Sequence, residues 1–179
     1  MIKYYVFFRA VNVGKRTVKM ESLKQNLQAL GYKDVYTFIA SGNACFCSPE
    51  PNIPKLERQI FDMMKSAYGF DVEAYVRTPL QIKHLLAMQP FPKEKVESAH
   101  SWNIGFTDVN ATEDVVDAIL EMEDGFNHFC FIENSIHWLN QKSIHDTTIS
   151  QVALEKTLGG RTTFRGRNTL VKMLAKFGD

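Results

Sequence analysis

The chain carries no surplus of either charge. Its 179 residues hold 21 Lys and Arg against 20 Asp and Glu, a net charge of +1. Indiscriminate binding to nucleic acid or to an acidic membrane draws on a clear basic excess, so both are disfavoured, while a local basic patch stays open. Long apolar runs are missing as well: none approaches the roughly 20 residues that cross a bilayer as a helix. The opening MIKYYVFFRAVNVG turns polar too soon for a signal peptide. Cysteine is scarce and odd in number, Cys45, Cys47 and Cys130, which without an export signal points to free thiols in a reducing cytosol. Low-complexity segments are absent, and hydrophobic residues at 45% suffice for a packed core. The expectation is a cytoplasmic globular protein with no membrane segment.

Motifs of familiar chemistry are also lacking. An RNA-binding plait carries a basic residue, Gly and two aromatics on its third strand, whereas this chain has Asn43-Ala-Cys-Phe46-Cys-Ser there. Structural zinc uses Cys-x2-Cys or His-x3-His spacing, and neither occurs; Cys45 and Cys47, like His128 and Cys130, are alternate strand residues better suited to a core. A hydrolase elbow Gly-x-Ser-x-Gly is missing, so a triad of Ser41 with His145 and Asp146 has little behind it, and Ser41-Gly42 is explained by turn chemistry. No catalytic residue and no metal ligand is assigned, and the identity of any cofactor stays open.

What is present is a repeated order of elements. Residues 2–8 are dense in aromatic and β-branched residues and read as a strand. Met20, Leu23, Leu27 and Leu30 recur at helical spacing, with Gly31 as a stop. VYTFIASGNACFC reads as two strands turning at Ser41-Gly42, Ile53 to Ala67 as a helix with Pro54 in its first turn, and Val72 to Val76 as a strand. Thr78-Pro79-Leu80-Gln81 is a capping box opening a further helix that ends near Met88, and PFPKEKVESAH reads as a loop.

The second half repeats the plan. WNIGFTDV is a strand and Asn110-Ala-Thr-Glu113 a capping box before a helix. HFCFIENSIHWL is a hairpin turning near Asn134-Ser135, and Thr148 to Leu158 is a helix. A short strand at Thr163-Phe164 precedes a last helix with Leu170, Met173, Leu174 and Phe177 on one face. The fold class is α+β, two ferredoxin-like (α/β plait, split βαβ) subdomains packed together, at 1–90 with the connecting helix and at 101–179. In a plait the helices cover one face of the sheet, so YYVFF, apolar on both faces, predicts a cover from the second half or from a homodimer partner. The oligomeric expectation is monomer or homodimer.

The stretch FFRAVNVGKRTVKMESLKQNLQALGYKDVYTFIASGNACF resembles the opening of the bacterial "domain of unknown function 1697" family. Members run from a strand into Arg-Gly-Ile-Asn-Val-Gly, then Met-x-x-Leu, a leucine-rich helix and a strand ending in Ser-Gly-Asn. Ala10 stands where Gly is usual. A C-terminal signature, Thr-x-Arg-Asn, reads Thr163-Phe164-Arg165-Gly166 here, with Gly166 in place of Asn and Asn168 two positions on. The resemblance implies a two-part ferredoxin-like fold and no activity.

Polar residues cluster in three separated loops. Arg9, Asn12, Gly14 and Lys15 follow the first strand, Ser41, Gly42 and Asn43 form a hairpin turn, and Arg165, Asn168 and Thr169 precede the last helix. Arginine forks, glycine backbone and a helix N-terminus together suit phosphate or carboxylate, so the expected partner is a small anionic ligand. The alternative is a non-enzymatic module in which the same residues cap helices, fix turns and lock the two halves.

Overall fold

The computed structural model describes residues 1–14, 17–39, 42–143 and 147–178. The chain divides into two compact units, Met1–Lys83 with Met173–Asp179, and His84–Lys172. In the first unit β1 (Ile2–Phe8), α1 (Met20–Ala29), β2 (Lys33–Thr37), β3 (Asn43–Ser48), α2 (Ile53–Tyr68) and β4 (Ala74–Arg77) follow in order. The strands form one antiparallel sheet ordered β2-β3-β1-β4, the ferredoxin-like arrangement. β1 pairs with β3 from Ile2↔Ser48 to Phe7↔Asn43 and with β4 from Tyr5↔Arg77 to Phe8↔Ala74.

Tyr4, Val6 and Phe8 share a strand face and pack with Leu23 and Leu27 of α1 and Leu56, Ile60 and Met64 of α2. Tyr5 and Phe7 leave from the other face and are also fully buried, as a strand apolar on both faces requires. Each such side chain contributes about 1.5–3 kcal/mol on burial. Local chemistry fixes the helix ends. Gly31 and Gly69 adopt left-handed φ of 87° and 74° past the ends of α1 and α2. Asn52 accepts the Lys55 N–H at 2.9 Å and caps α2, with Pro54 in the first turn.

α3 (Pro79–Ala87) and α4 (Lys93–Glu97) lead to β5 (Ser101–Phe106). The expected capping box at α3 is reciprocal: the Thr78 N–H reaches Gln81 Oε1 at 2.8 Å and the Gln81 N–H reaches Thr78 Oγ1 at 3.2 Å. The PFPKEKVESAH loop contains the helical turn α4, which Ser98 closes by donating to the Glu94 carbonyl.

The second unit continues with α5 (Glu113–Leu120), β6 (Asn127–Ile132), β7 (Ser135–Asn140), α6 (Gln151–Leu158), β8 (Thr163–Gly166) and α7 (Arg167–Phe177), whose last turns belong to the first unit. Its sheet order, β6-β7-β5-β8, reproduces the first in the same sequence positions. Phe129, Ile136 and Trp138 pack on Ile119 of α5 and Leu154 and Leu158 of α6.

Three local expectations are corrected. The Asn110–Glu113 box does not form: Thr112 is the N-cap without a side-chain bond, and Glu113 and Asp114 instead complement the helix dipole. The second hairpin turns at Glu133-Asn134, because Ile132 pairs with Ser135. The helix expected from Thr148 starts at Gln151, because the Ser150 hydroxyl accepts the Ala153 N–H at 3.1 Å.

The cap on the longest helix is testable. Asn52→Ala removes the acceptor for Lys55 N–H and should lower unfolding free energy by about 1 kcal/mol in urea denaturation, while Asn52→Ser should retain most of it.

Candidate functional site

The first signature loop leaves β1 through a strained residue. Ala10 has φ +53°, the left-handed region in which a Cβ costs roughly 1 kcal/mol or more. This is the position where the family usually has Gly, so the departure noted in the sequence is paid in backbone strain. The Arg9 N–H donates to the Glu73 carbonyl at 2.9 Å and ties the loop to the chain entering β4. Asn12 Oδ1 accepts the Val18 N–H at 2.7 Å and closes the loop on itself. Val11 and Val18 are buried beneath it, while Asn12, Val13 and Gly14 are exposed. Gly14 has φ +64° and open space around it. Lys15 lies outside the described residues.

The second signature meets the first. The Phe8 N–H donates to the Gly42 carbonyl at 2.9 Å. A Cβ on Gly42 would sit 2.4 Å from Val11 Cγ2 and 3.2 Å from Phe8 Cβ, so only glycine allows the two loops this approach. Asn43 is wholly buried and its amide Nδ2 donates to the Phe38 carbonyl at 3.1 Å, beside a Phe38 N–H to Asn43 carbonyl bond of 2.8 Å. The hairpin expected to turn at Ser41-Gly42 is therefore a longer connection, residues 38–42, drawn shut by Asn43. Ser41 lies outside the described residues, as do His145 and Asp146.

The third signature lies in the second unit. It was expected just ahead of a helix; instead Arg165 belongs to β8, and Arg167, Asn168 and Thr169 form the first turn of α7, with no loop between. Arg165, opposite Ile104 and buried, donates from Nη1 to Thr163 Oγ1 and to the Phe164 carbonyl, both at 2.8 Å. Burial lowers its pKa to about 10, so it stays cationic at neutral pH. A Cβ on Gly166 would meet only Asn103 Oδ1 and Thr169 Oγ1, each at 3.9 Å, so glycine is not required there to avoid a clash at the Cβ.

Beside it stands a group that the sequence did not reveal. The Arg167 guanidinium lies 5.0 Å above the Trp102 ring and donates from Nη2 to the Leu86 carbonyl at 2.9 Å. Trp102 Nε1 donates to His137 Nδ1 at 3.2 Å, which makes His137 the Nε2–H tautomer. His137 Nε2 and Arg167 Nε are buried without an acceptor among the described residues. Burial, then the Arg167 charge, pushes His137 down to about 4. The one available signal was a histidine set between two large apolar residues, Ile136 and Trp138. Trp102 spends its indole N–H on that histidine.

The thiols are held protonated. Burial pushes Cys45 up to about 11, and raises Cys47 and Cys130 as well. No helix among the described residues is long and apolar enough to cross a membrane, and among them no group of three or more His, Cys, Asp or Glu is placed to hold a metal.

Two split-βαβ sheets with the Arg-x-x-Asn-Val-Gly loop against the Gly-Asn turn define a two-unit ferredoxin-like class of protein. Residues 1–137 match the family described as protein of unknown function (DUF1697), and the chain belongs to it. Among solved structures, the conserved bacterial protein SP0830 from Streptococcus pneumoniae is similar in fold: the TM-score is 0.78 at 22% identity, covering 100% of this chain and 99% of that one. No curated protein matches the chain.

Two outcomes follow from the geometry. Ala10→Gly should stabilise the protein by up to about 1 kcal/mol, and Gly42→Ala should destabilise it by about 1–3 kcal/mol, both read as shifts in the urea midpoint. Between pH 6.5 and about 4 the unfolded chain takes a proton at His137 that the fold resists. Its contribution is therefore full above pH 6.5 and lost as pH falls toward 4, by about 3 kcal/mol at ~1.36 kcal/mol per pH unit. His137→Gln, which still offers Trp102 an acceptor, should flatten that slope in denaturation measured from pH 7 to pH 4.

Proposed function

We propose that the chain binds a small anionic or phosphorylated ligand at the end of the first sheet, where the Arg9–Gly14 loop meets the Gly42–Asn43 turn. The observation that carries this reading is the meeting itself: Phe8 bonds the Gly42 carbonyl, and Gly42 lies against Val11 with no room for a side chain. Two polar sequence signatures far apart in the chain thus share one mouth. Arg9 and Lys15 supply positive charge, and Gly14 leaves backbone open to close approach. Ser41, next in sequence to Gly42, adds a hydroxyl, while Asn12, Gly42 and Asn43 hold the loops in shape. In the second unit Arg165, Asn168 and Thr169 bring the same chemistry to the first turn of α7, where backbone N–H groups favour an anion.

A second reading has its own support. Asn12, Asn43 and Arg165 each direct polar atoms at neighbouring backbone, which is how residues of a purely structural or interaction module behave. The two readings part in one experiment. Inorganic phosphate, sulfate and AMP in excess should raise the melting temperature, since a ligand at 100 times its Kd stabilises by about 2.7 kcal/mol. Arg9→Ala and Lys15→Gln should abolish that rise. A melting temperature indifferent to all three ligands, with Arg9→Ala lowering it regardless, would establish the structural reading instead.

A further inference from the structure

A groove of about 440 Å³ lies within the first unit, over the start of β1, the β2–β3 pair and the end of α7. Its floor holds Cys45 and Cys47, alternate residues on one face of β3. Both thiols are held protonated, so the floor is neutral, soft and polarisable. Its wall is aromatic. Tyr36, half exposed, stacks on Phe177 with centroids 5.7 Å apart and planes 21° apart, and Phe177 in turn meets Phe38 edge-on at 5.9 Å.

Charge is placed here with a definite sign. Lys3 and Lys176 line the groove against one carboxylate, Asp34. Neither lysine has an ion-pair partner among the described residues. The Lys176 ammonium lies 5.3 Å from the Phe177 centroid and 5.8 Å from that of Phe38, over the same aromatic wall.

The backbone is irregular at this spot. Lys33 pairs with Cys47 and Tyr36 with Cys45, so three steps along β2 match two along β3, a bulge. Val35 keeps its place in the core, and Asp34 takes the extra position with φ +49°, an uncommon conformation for a residue with a side chain. Bulges redirect side chains beside binding sites, and this one brings Asp34 to the groove and leaves Tyr36 over Cys45. A cavity of this size is in the range that takes a small organic ligand.

We propose that this groove binds a small planar aromatic anion of the arene carboxylate class. The ring lies against Tyr36 above the two thiols, and the carboxylate is met by Lys3 and Lys176. The lining of the groove shares no residue with those proposed for the anion mouth at the strand-end loops.

The probe is 2-naphthoate, titrated into the 15N-labelled full chain and followed by amide chemical shifts. Saturable shifts should centre on Tyr36, Cys45, Cys47 and Phe177. The neutral counterpart 2-naphthalenemethanol should bind several-fold more weakly. Lys3→Gln with Lys176→Gln should weaken 2-naphthoate by about tenfold, corresponding to 1.4 kcal/mol, and Tyr36→Ser should weaken it with both lysines intact. No saturable shift, shifts centred elsewhere, or equal binding of the neutral compound would overturn the proposal. So would unchanged affinity in the folded double variant. Inorganic phosphate is titrated separately, so this groove and the anion mouth stand or fall apart.

Discussion

Every feature of the first unit depends on β1 being the centre of its sheet. It pairs with β3 on one side and β4 on the other, and it is buried on both faces from Tyr4 to Phe8. A strand so enclosed has no freedom to slip, because a one-residue shift would exchange its two apolar faces and break both ladders. The position at which it ends is therefore fixed, and the Arg9 loop starts from a rigid base. The adjoining Gly42 turn is set by the same pairing, through Phe7 opposite Asn43.

Rigidity at the mouth is obtained by committing polar groups to it. Asn12 and Asn43 were among the candidate ligand-binding residues, yet each is engaged in closing its own loop. The two amides thus serve as framework for the loops that carry them. The second unit shows a related economy with a different outcome. Arg165 is engaged by Thr163 and Phe164, whereas Arg167 relies on the face of Trp102 and one carbonyl, and its charge adds to the burial that keeps the neighbouring His137 neutral.

The legible parts of the sequence were those with a local cause. Dense aromatic and β-branched residues located β1, apolar spacing located α1 and α2, Gly31 marked the end of α1, and Thr78 with Gln81 announced the start of α3. The same type of signal failed at Asn110–Glu113, where acidic residues at the dipole served in place of a cap. It also failed at residues 38–42, where a buried asparagine lengthened the connection. The groove was the least legible element. It depends on an inserted residue in β2 and on Phe177, some 140 positions away, stacking on Tyr36. Neither a register shift nor a return of the C-terminal helix leaves a periodic trace in the residues that create it.

The distribution of the three thiols gives the molecule a built-in means of observation. Two lie on β3 of the first unit and one on β6 of the second, and the fold keeps each in its unreactive protonated form. Alkylation at neutral pH is thereby slowed at all three, and it speeds wherever a thiol's strand leaves the sheet. Cys45 and Cys47, buried in one plait, and Cys130, half-buried in the other, let the native chain report through changes in their relative rates whether its two halves open together or separately.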